Sequence, residues 1–200
     1  ATTWFYKCLQ EHPQISTSQR DTIHYFDMHY VQGDAWYHSH FQGVSSDKIL
    51  FDPTYSYIVS PRALERIAHY NPDAKLVICL RDPVERAFSH YWHLKKKRSI
   101  VAEFEDVLKH YNNYAVWLEH GFLGIGLKRL LQLFRREQLH VVMFDDINLD
   151  PDHTFRALAE FAGIDPEFKP SFLNKKVNTA GVKRNFLNRA LVKIIGEKGI

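Results

Sequence analysis

Five apolar residues in a row, Leu76-Val77-Ile78-Cys79-Leu80, stand between polar neighbours near the middle of the chain. A short continuous run rich in β-branched side chains predicts a strand over 75–80, buried on both faces. Arg81 then sits at its carboxyl end. Asp82 is a good N-cap, Pro83 suits a first helical position, and Glu85 favours the positive end of the helix dipole, so a helix is predicted from residue 83. The rest of the chain divides by the same periodicity and punctuation. Helices are expected over 1–11, closed by His12-Pro13, and over 33–41, 61–70, 101–119, 121–134 and 151–162, the last opened by a proline. Strands are expected over 48–52 and 139–147, and Tyr25-Phe26 reads as a short buried piece. Beyond Pro170 the chain turns polar and basic, which suits a loop and terminal helix wrapping back. Strands alternating with helices imply an α/β fold with a mainly parallel sheet.

Composition narrows the classes. The 200 residues are 45% hydrophobic and 24% charged, with a formal net charge of +3, which fits one globular domain with a real core. No apolar run approaches the roughly 20 residues that a membrane helix needs. No basic-then-apolar leader opens the sequence. Two cysteines, Cys8 and Cys79, cannot build a disulfide framework and read as small core residues. The basic excess is too small to imply nucleic acid, though it suits an anionic cofactor.

The strand–turn–helix at residues 75–96 is the first candidate for chemistry. In parallel sheets the crevice beyond the carboxyl ends is where ligands bind, and free N–H groups beside an arginine suit an anion. The plainer alternative is that Arg81 only pairs with Asp82 or Glu85, a weak surface contact.

Several stretches in a fixed order carry a more specific signal: "ATTWFYKCLQEHPQI" (1–15), "IHYFD" (23–27), "GDAWYHSHF" (33–41), "FDPTYSYIVSP" (51–61), "NPDAKLVICLRDPVERAFSHY" (71–91) and "FRREQLHVVMFDDINLDPDHTFRALAEFAGI" (134–164). Together they resemble the sulfotransferase family that uses 3′-phosphoadenosine 5′-phosphosulfate, PAPS, and in particular its heparan-sulfate and bacterial carbohydrate members. The resemblance implies a P-loop-type parallel sheet flanked by helices. The family's phosphosulfate loop reads Lys-x-Gly/Ala-Thr-Thr, of which Ala1-Thr2-Thr3 stand here. The expectation is therefore a single sulfotransferase domain over 1–200 whose loop lysine and first strand lie upstream of Ala1, and which without that lysine is inactive or badly impaired.

The resemblance also implies roles. Arg81 and Ser89 would hold the 3′-phosphate, and Ala1, Thr2 and Thr3 the 5′-phosphosulfate; ordinary N-capping is the plainer use of the threonines. Lys183 and Arg184 fall where the family's basic lid closes, or in a merely solvated basic loop. Relatives carry a glutamate two residues before the histidine of the "HFFD" pattern; here that position is Thr22. The candidate bases are His24 and then Asp21, with Asp27 as orienter, while a structural histidine bonded to backbone is the alternative for His24. Asp52 would contact substrate or hold a cationic neighbour, or else serve as a turn residue before Pro53. The reaction that the resemblance implies moves a sulfuryl group from PAPS to a hydroxyl or amine, with a carbohydrate as the expected acceptor, and releases PAP with no metal required.

Three other readings compete. A nucleotide kinase would share the threonines but needs Gly-Lys-Ser/Thr and a magnesium-binding acid. A metal-binding module would use His24, His29, His38 and His40. A binder of anionic polymer would use Lys95-Lys96-Lys97-Arg98, otherwise a solvated helix end suited to the dipole.

Overall fold

The computed structural model describes residues 2–20, 22–41, 43–45, 47–96, 103–104, 106, 121 and 123–175. Helix α1 (Thr2–Gln10) buries Trp4, Phe5, Cys8 and Leu9, the one-face spacing of an amphipathic helix. A turn at His12 closes it. The buried His12 ring accepts the Gln14 N–H on Nδ1 at 3.2 Å, which leaves its Nε2–H to donate to the Asp165 carbonyl at 3.2 Å. The Trp4 indole N–H reaches the Leu173 carbonyl at 3.0 Å, so the segment after the last described helix lies against α1.

Strand β1 (Ile15–Thr17) pairs in parallel with β2 (Ile49–Phe51), Ile15 opposite Ile49. Strand β3 (Leu76–Leu80) pairs in parallel with β4 (Leu139–Met143), Leu76 opposite Leu139. The sequence suggested a mainly parallel sheet, and both observed pairings are parallel; among the described residues they form two separate two-stranded sheets.

The strand predicted over 75–80 has apolar neighbours on both faces. Leu76, Ile78 and Leu80 belong to an aromatic-rich core with Tyr25, Phe26, Tyr37 and Tyr57. The alternate residues Val77 and Cys79 face a second core built on Trp4, Phe5, Phe155 and Leu158. That is the period-two alternation of a strand covered on both sides.

Helix α4 (Pro83–Lys96) starts as predicted, with Asp82 Oδ1 accepting from the N–H groups of Val84 and Glu85 at 2.9 Å each. The strand expected over 139–147 stops early. It gives way at Phe144 to the short helix α6 (Phe144–Leu149), whose first turn carries Asp145 and Asp146, where carboxylates favour helix over strand. Helix α7 (Pro151–Ala162) is capped by Asp150 and ends at Gly163 with φ 81°, a left-handed C-terminus that glycine adopts without strain. The expected helix 33–41 contracts to α2 (Asp34–His38), and 121–134 to α5 (Gly124–Leu133). Most of 101–119 and everything after Lys175 lie outside the described residues.

Two irregular segments matter for the site. Residues Tyr25–His29 form a π-helical turn, followed by a 3₁₀ turn (Tyr30–Gln32). A second 3₁₀ turn (Tyr55–Val59) leads into α3 (Pro61–Tyr70). A Cβ built on Gly126 of α5 would run into the Ile58 carbonyl, so this turn and α5 pack backbone to backbone. Among the described residues, no helix is long and apolar enough to cross a membrane.

Candidate active site

A cleft of about 570 Å³ opens between the first turns of α1 and the chain after β1. Thr3 and Lys7 line it from the helix, Arg20, Thr22 and His24 from the loop, and His29 from the π turn. Two cationic side chains and two imidazoles around one cleft suit an anionic ligand. Lys7 and Arg20 carried no signal in the sequence reading; only their position beside the Thr2-Thr3 helix start and the His24 loop marks them.

His24 is the one non-glycine residue with positive φ among the described residues, at φ 56° and ψ 31°. Left-handed backbone at a residue with a Cβ costs about 1–3 kcal/mol and concentrates at functional sites. The strain is held from two sides. The His24 carbonyl accepts from the N–H groups of Met28 and His29 at 3.0 Å each, which starts the π turn. On the other side Thr54 Oγ1 accepts from the N–H groups of Ile23 and His24 at 3.0 and 3.2 Å.

The His24 ring meets Asp27, whose Oδ2 lies 3.2 Å from Nδ1. Ser56 completes the group: its hydroxyl contacts Nδ1 at 3.1 Å and donates to Asp27 Oδ2. A carboxylate only accepts, so Nδ1 carries the proton, and in the neutral ring Nε2 keeps its lone pair. Thus His24 and Asp27 are brought together, with His24 in the cleft wall and Asp27 shielded beside it. Ser56 was not anticipated; the hydroxyl-rich run Thr54-Tyr55-Ser56-Tyr57 was its only trace.

Asp52 lies behind this loop and does not line the cleft. Its Oδ1 accepts from the Thr54 hydroxyl at 2.6 Å and the Thr54 N–H at 3.0 Å, and its Oδ2 from the hydroxyls of Tyr57 at 2.7 Å and Tyr37 at 3.4 Å. Among the described residues its partners are hydroxyls and a backbone amide, not a cation. Desolvation pushes this carboxyl above its ordinary range, against the hydrogen bonds that pull it down, and raises the phenols of Tyr37 and Tyr57 as well.

Arg81 follows β3, as expected, and does not itself line the cleft. Its guanidinium carbon lies 4.3 Å from the centre of the Phe144 ring, and Nη2 meets Glu85 at 3.5 Å. Its Nε is buried with no partner among the described residues. Ser89 is half-buried two turns into α4, one turn beyond Glu85. Thr2 opens α1 as an exposed residue, with Thr3 beside it in the cleft. Ala1, Asp21, Lys183 and Arg184 lie outside the described residues, as do Lys97 and Arg98 of the basic run, whose Lys95 pairs with Glu103 at 2.8 Å.

The histidines expected of a metal module are used separately. His38 Nε2 meets the Tyr70 hydroxyl at 2.7 Å and His40 Nδ1 meets the Trp36 carbonyl at 2.8 Å. Among the described residues no group of three or more metal-ligating side chains is gathered.

Residues 24–169, from the strained histidine to the end of the α7 region, match the Sulfotransferase family. The chain belongs to that family. Among sulfotransferase relatives, the membrane-associated sulfotransferase kil1 of Dictyostelium discoideum is 37% identical over 52% of this chain and 23% of its own length. Heparan sulfate glucosamine 3-O-sulfotransferase 3B1 of Mus musculus is 30% identical over 78% of this chain and 41% of its own length. The chain thus spans less than half of these curated relatives. A sulfotransferase from Alicyclobacillus acidocaldarius superposes with a TM-score of 0.81 at 24% identity, covering 98% of this chain and 87% of that one, and shows that the fold is shared. Membership in the sulfotransferase family displaces the nucleotide-kinase reading.

Proposed function

We propose that the protein transfers a sulfuryl group from PAPS to a hydroxyl or amine of a carbohydrate acceptor, with His24 as the base. The observation that carries this reading is the His24 ring, held by Asp27 and Ser56, in a cation-lined cleft that also takes in Thr3 of α1. When bound, PAPS supplies the activated sulfuryl group and an anionic leaving nucleotide. The residues fit such an anion, since the Arg81 guanidinium lies over Phe144 with its Nε buried and without a partner among the described residues, and a guanidinium offers paired donors to phosphate oxygens. Arg81 and Ser89 would take the 3′-phosphate, with Thr2 and Thr3 on the phosphosulfate side.

The chain's own chemistry is proton transfer and charge placement. With its Nδ1–H directed at Asp27, His24 presents Nε2 to take the acceptor's proton, and the Asp27 carboxylate stabilises the imidazolium that results. Lys7 and Arg20 hold negative charge in the cleft and supply the positioning on which such transfers depend. The same cations suit an acidic saccharide, consistent with relatives named for heparan sulfate. Asp21 is the second candidate for the base, and Lys183 and Arg184 for closing over the nucleotide.

Calorimetry with PAP and AMP tests the donor assignment. Tighter binding of PAP is expected, and equal affinity for the two nucleotides would overturn it.

A further inference from the structure

Three consecutive backbone N–H groups in the loop that carries His24 end on two side-chain hydroxyls. Thr54 Oγ1 accepts from Ile23 and His24, and the Tyr57 hydroxyl accepts from Tyr25 at 3.0 Å. A hydroxyl has a single proton, so where that proton points decides whether its lone pairs face a backbone donor. In both cases the proton points at one carboxylate. Thr54 donates to Asp52 Oδ1 at 2.6 Å, and Tyr57 donates to Asp52 Oδ2 at 2.7 Å.

We infer that Asp52 is a positioning residue for His24: by accepting from both hydroxyls it turns their lone pairs onto the loop and fixes the left-handed backbone that sets the imidazole in the cleft. A carboxylate suits this task because both of its oxygens accept. An amide would present N–H to one hydroxyl, whose own proton would then swing towards a backbone N–H. Asp52 acts at a distance from the reacting atoms. It does not line the cleft, and its link to His24 runs through Thr54 and Tyr57. The inference rests on His24 being the base in the proposed reaction.

Amide hydrogen exchange and turnover, measured on the same variants, test it. Asp52→Asn and Thr54→Val should speed exchange at Ile23 and His24 by roughly tenfold or more, the scale of a lost charge-assisted hydrogen bond. They should lower kcat by roughly 10- to 100-fold through misplacement of the base, with PAP affinity unchanged. Thr54→Ser keeps the hydroxyl and should restore both slow exchange and turnover, which a general loss of packing would not do. If Asp52→Asn does not fold, the Thr54 pair carries the same comparison. Wild-type exchange at Ile23 and His24 in Asp52→Asn or Thr54→Val overturns the inference, whatever the turnover. Fast exchange with undiminished turnover overturns instead the assignment of His24 as base.

Discussion

Oδ2 of Asp27 lies 3.2 Å from Nδ1 of His24, three residues away across the start of a π turn. The turn is what makes the contact, because a left-handed residue followed by the wide π geometry brings positions 24 and 27 onto one side. Asp27 is nearly buried, with 8% of its side chain exposed against 22% for His24. The carboxylate is therefore the shielded partner and the imidazole the accessible one.

This relationship predicts graded kinetics. His24→Ala should reduce kcat by roughly 10²- to 10⁴-fold while PAP affinity stays nearly unchanged, as for loss of a general base. Asp27→Asn should cost less than His24→Ala, since it disturbs the tautomer but leaves the ring. Steady-state kinetics on purified variants decide, and full activity in His24→Ala would move the role to Asp21.

Arg81 supports a second prediction. Its contact with Glu85 is long at 3.5 Å, and its Nε has no partner among the described residues, so these residues leave donors of the guanidinium for a ligand. Arg81→Ala should cost about 1.5–3 kcal/mol in PAP affinity, the range for a hydrogen bond to a charged group. AMP affinity should change little. Calorimetry with both nucleotides checks this, and equal losses would place Arg81 away from the 3′-phosphate.

Backbone packing beneath the site gives a third. A Cβ at Gly126 collides with the Ile58 carbonyl, whereas one at Gly124 meets nothing within 4 Å. Gly126→Ala should destabilise by about 1–3 kcal/mol and lower Tm by roughly 2 to 12 °C. Gly124→Ala should leave Tm nearly unchanged. Thermal unfolding of the two variants makes the comparison.

The two thiols predict an alkaline limb of stability. Burial pushes Cys8 from 9.0 up to about 12, with Glu11 adding to the shift, and burial pushes Cys79 up to about 11. In the unfolded chain both ionise near the ordinary value, so above about pH 9 the unfolded state binds fewer protons than the folded one. Stability therefore falls between about pH 9 and 12. Denaturant midpoints should show this fall, and Cys8→Ala should make it shallower.

What the sequence revealed and concealed has physical reasons. Leu76–Leu80 and Pro151–Ala162 were legible because burial on both faces and a proline after a capping aspartate each leave a pattern in neighbouring positions. Strand β1 was not, since Ile15-Ser16-Thr17 is too short to display a period. The end of β4 was hidden because Val141, Val142, Met143 and Phe144 form one apolar run across the boundary. His24 and Asp27 could be paired because they match the histidine and aspartate of the family pattern that the chain resembles. Ser56, Thr54 and the role of Asp52 could not, because folding brings them to the His24 loop from some 30 residues away.

The central claim is sulfuryl transfer from PAPS, and its most direct test follows radiolabelled sulfur from PAPS into an acidic oligosaccharide, with the whole gene product as enzyme and a chelator present. The cationic groups around the proposed donor site can neutralise a sulfuryl donor, which carries less charge than a phosphoryl one, so transfer should survive chelation. The account predicts label on the saccharide and PAP in equal amount. No label on any acceptor, together with magnesium-dependent phosphoryl transfer from ATP, would contradict it.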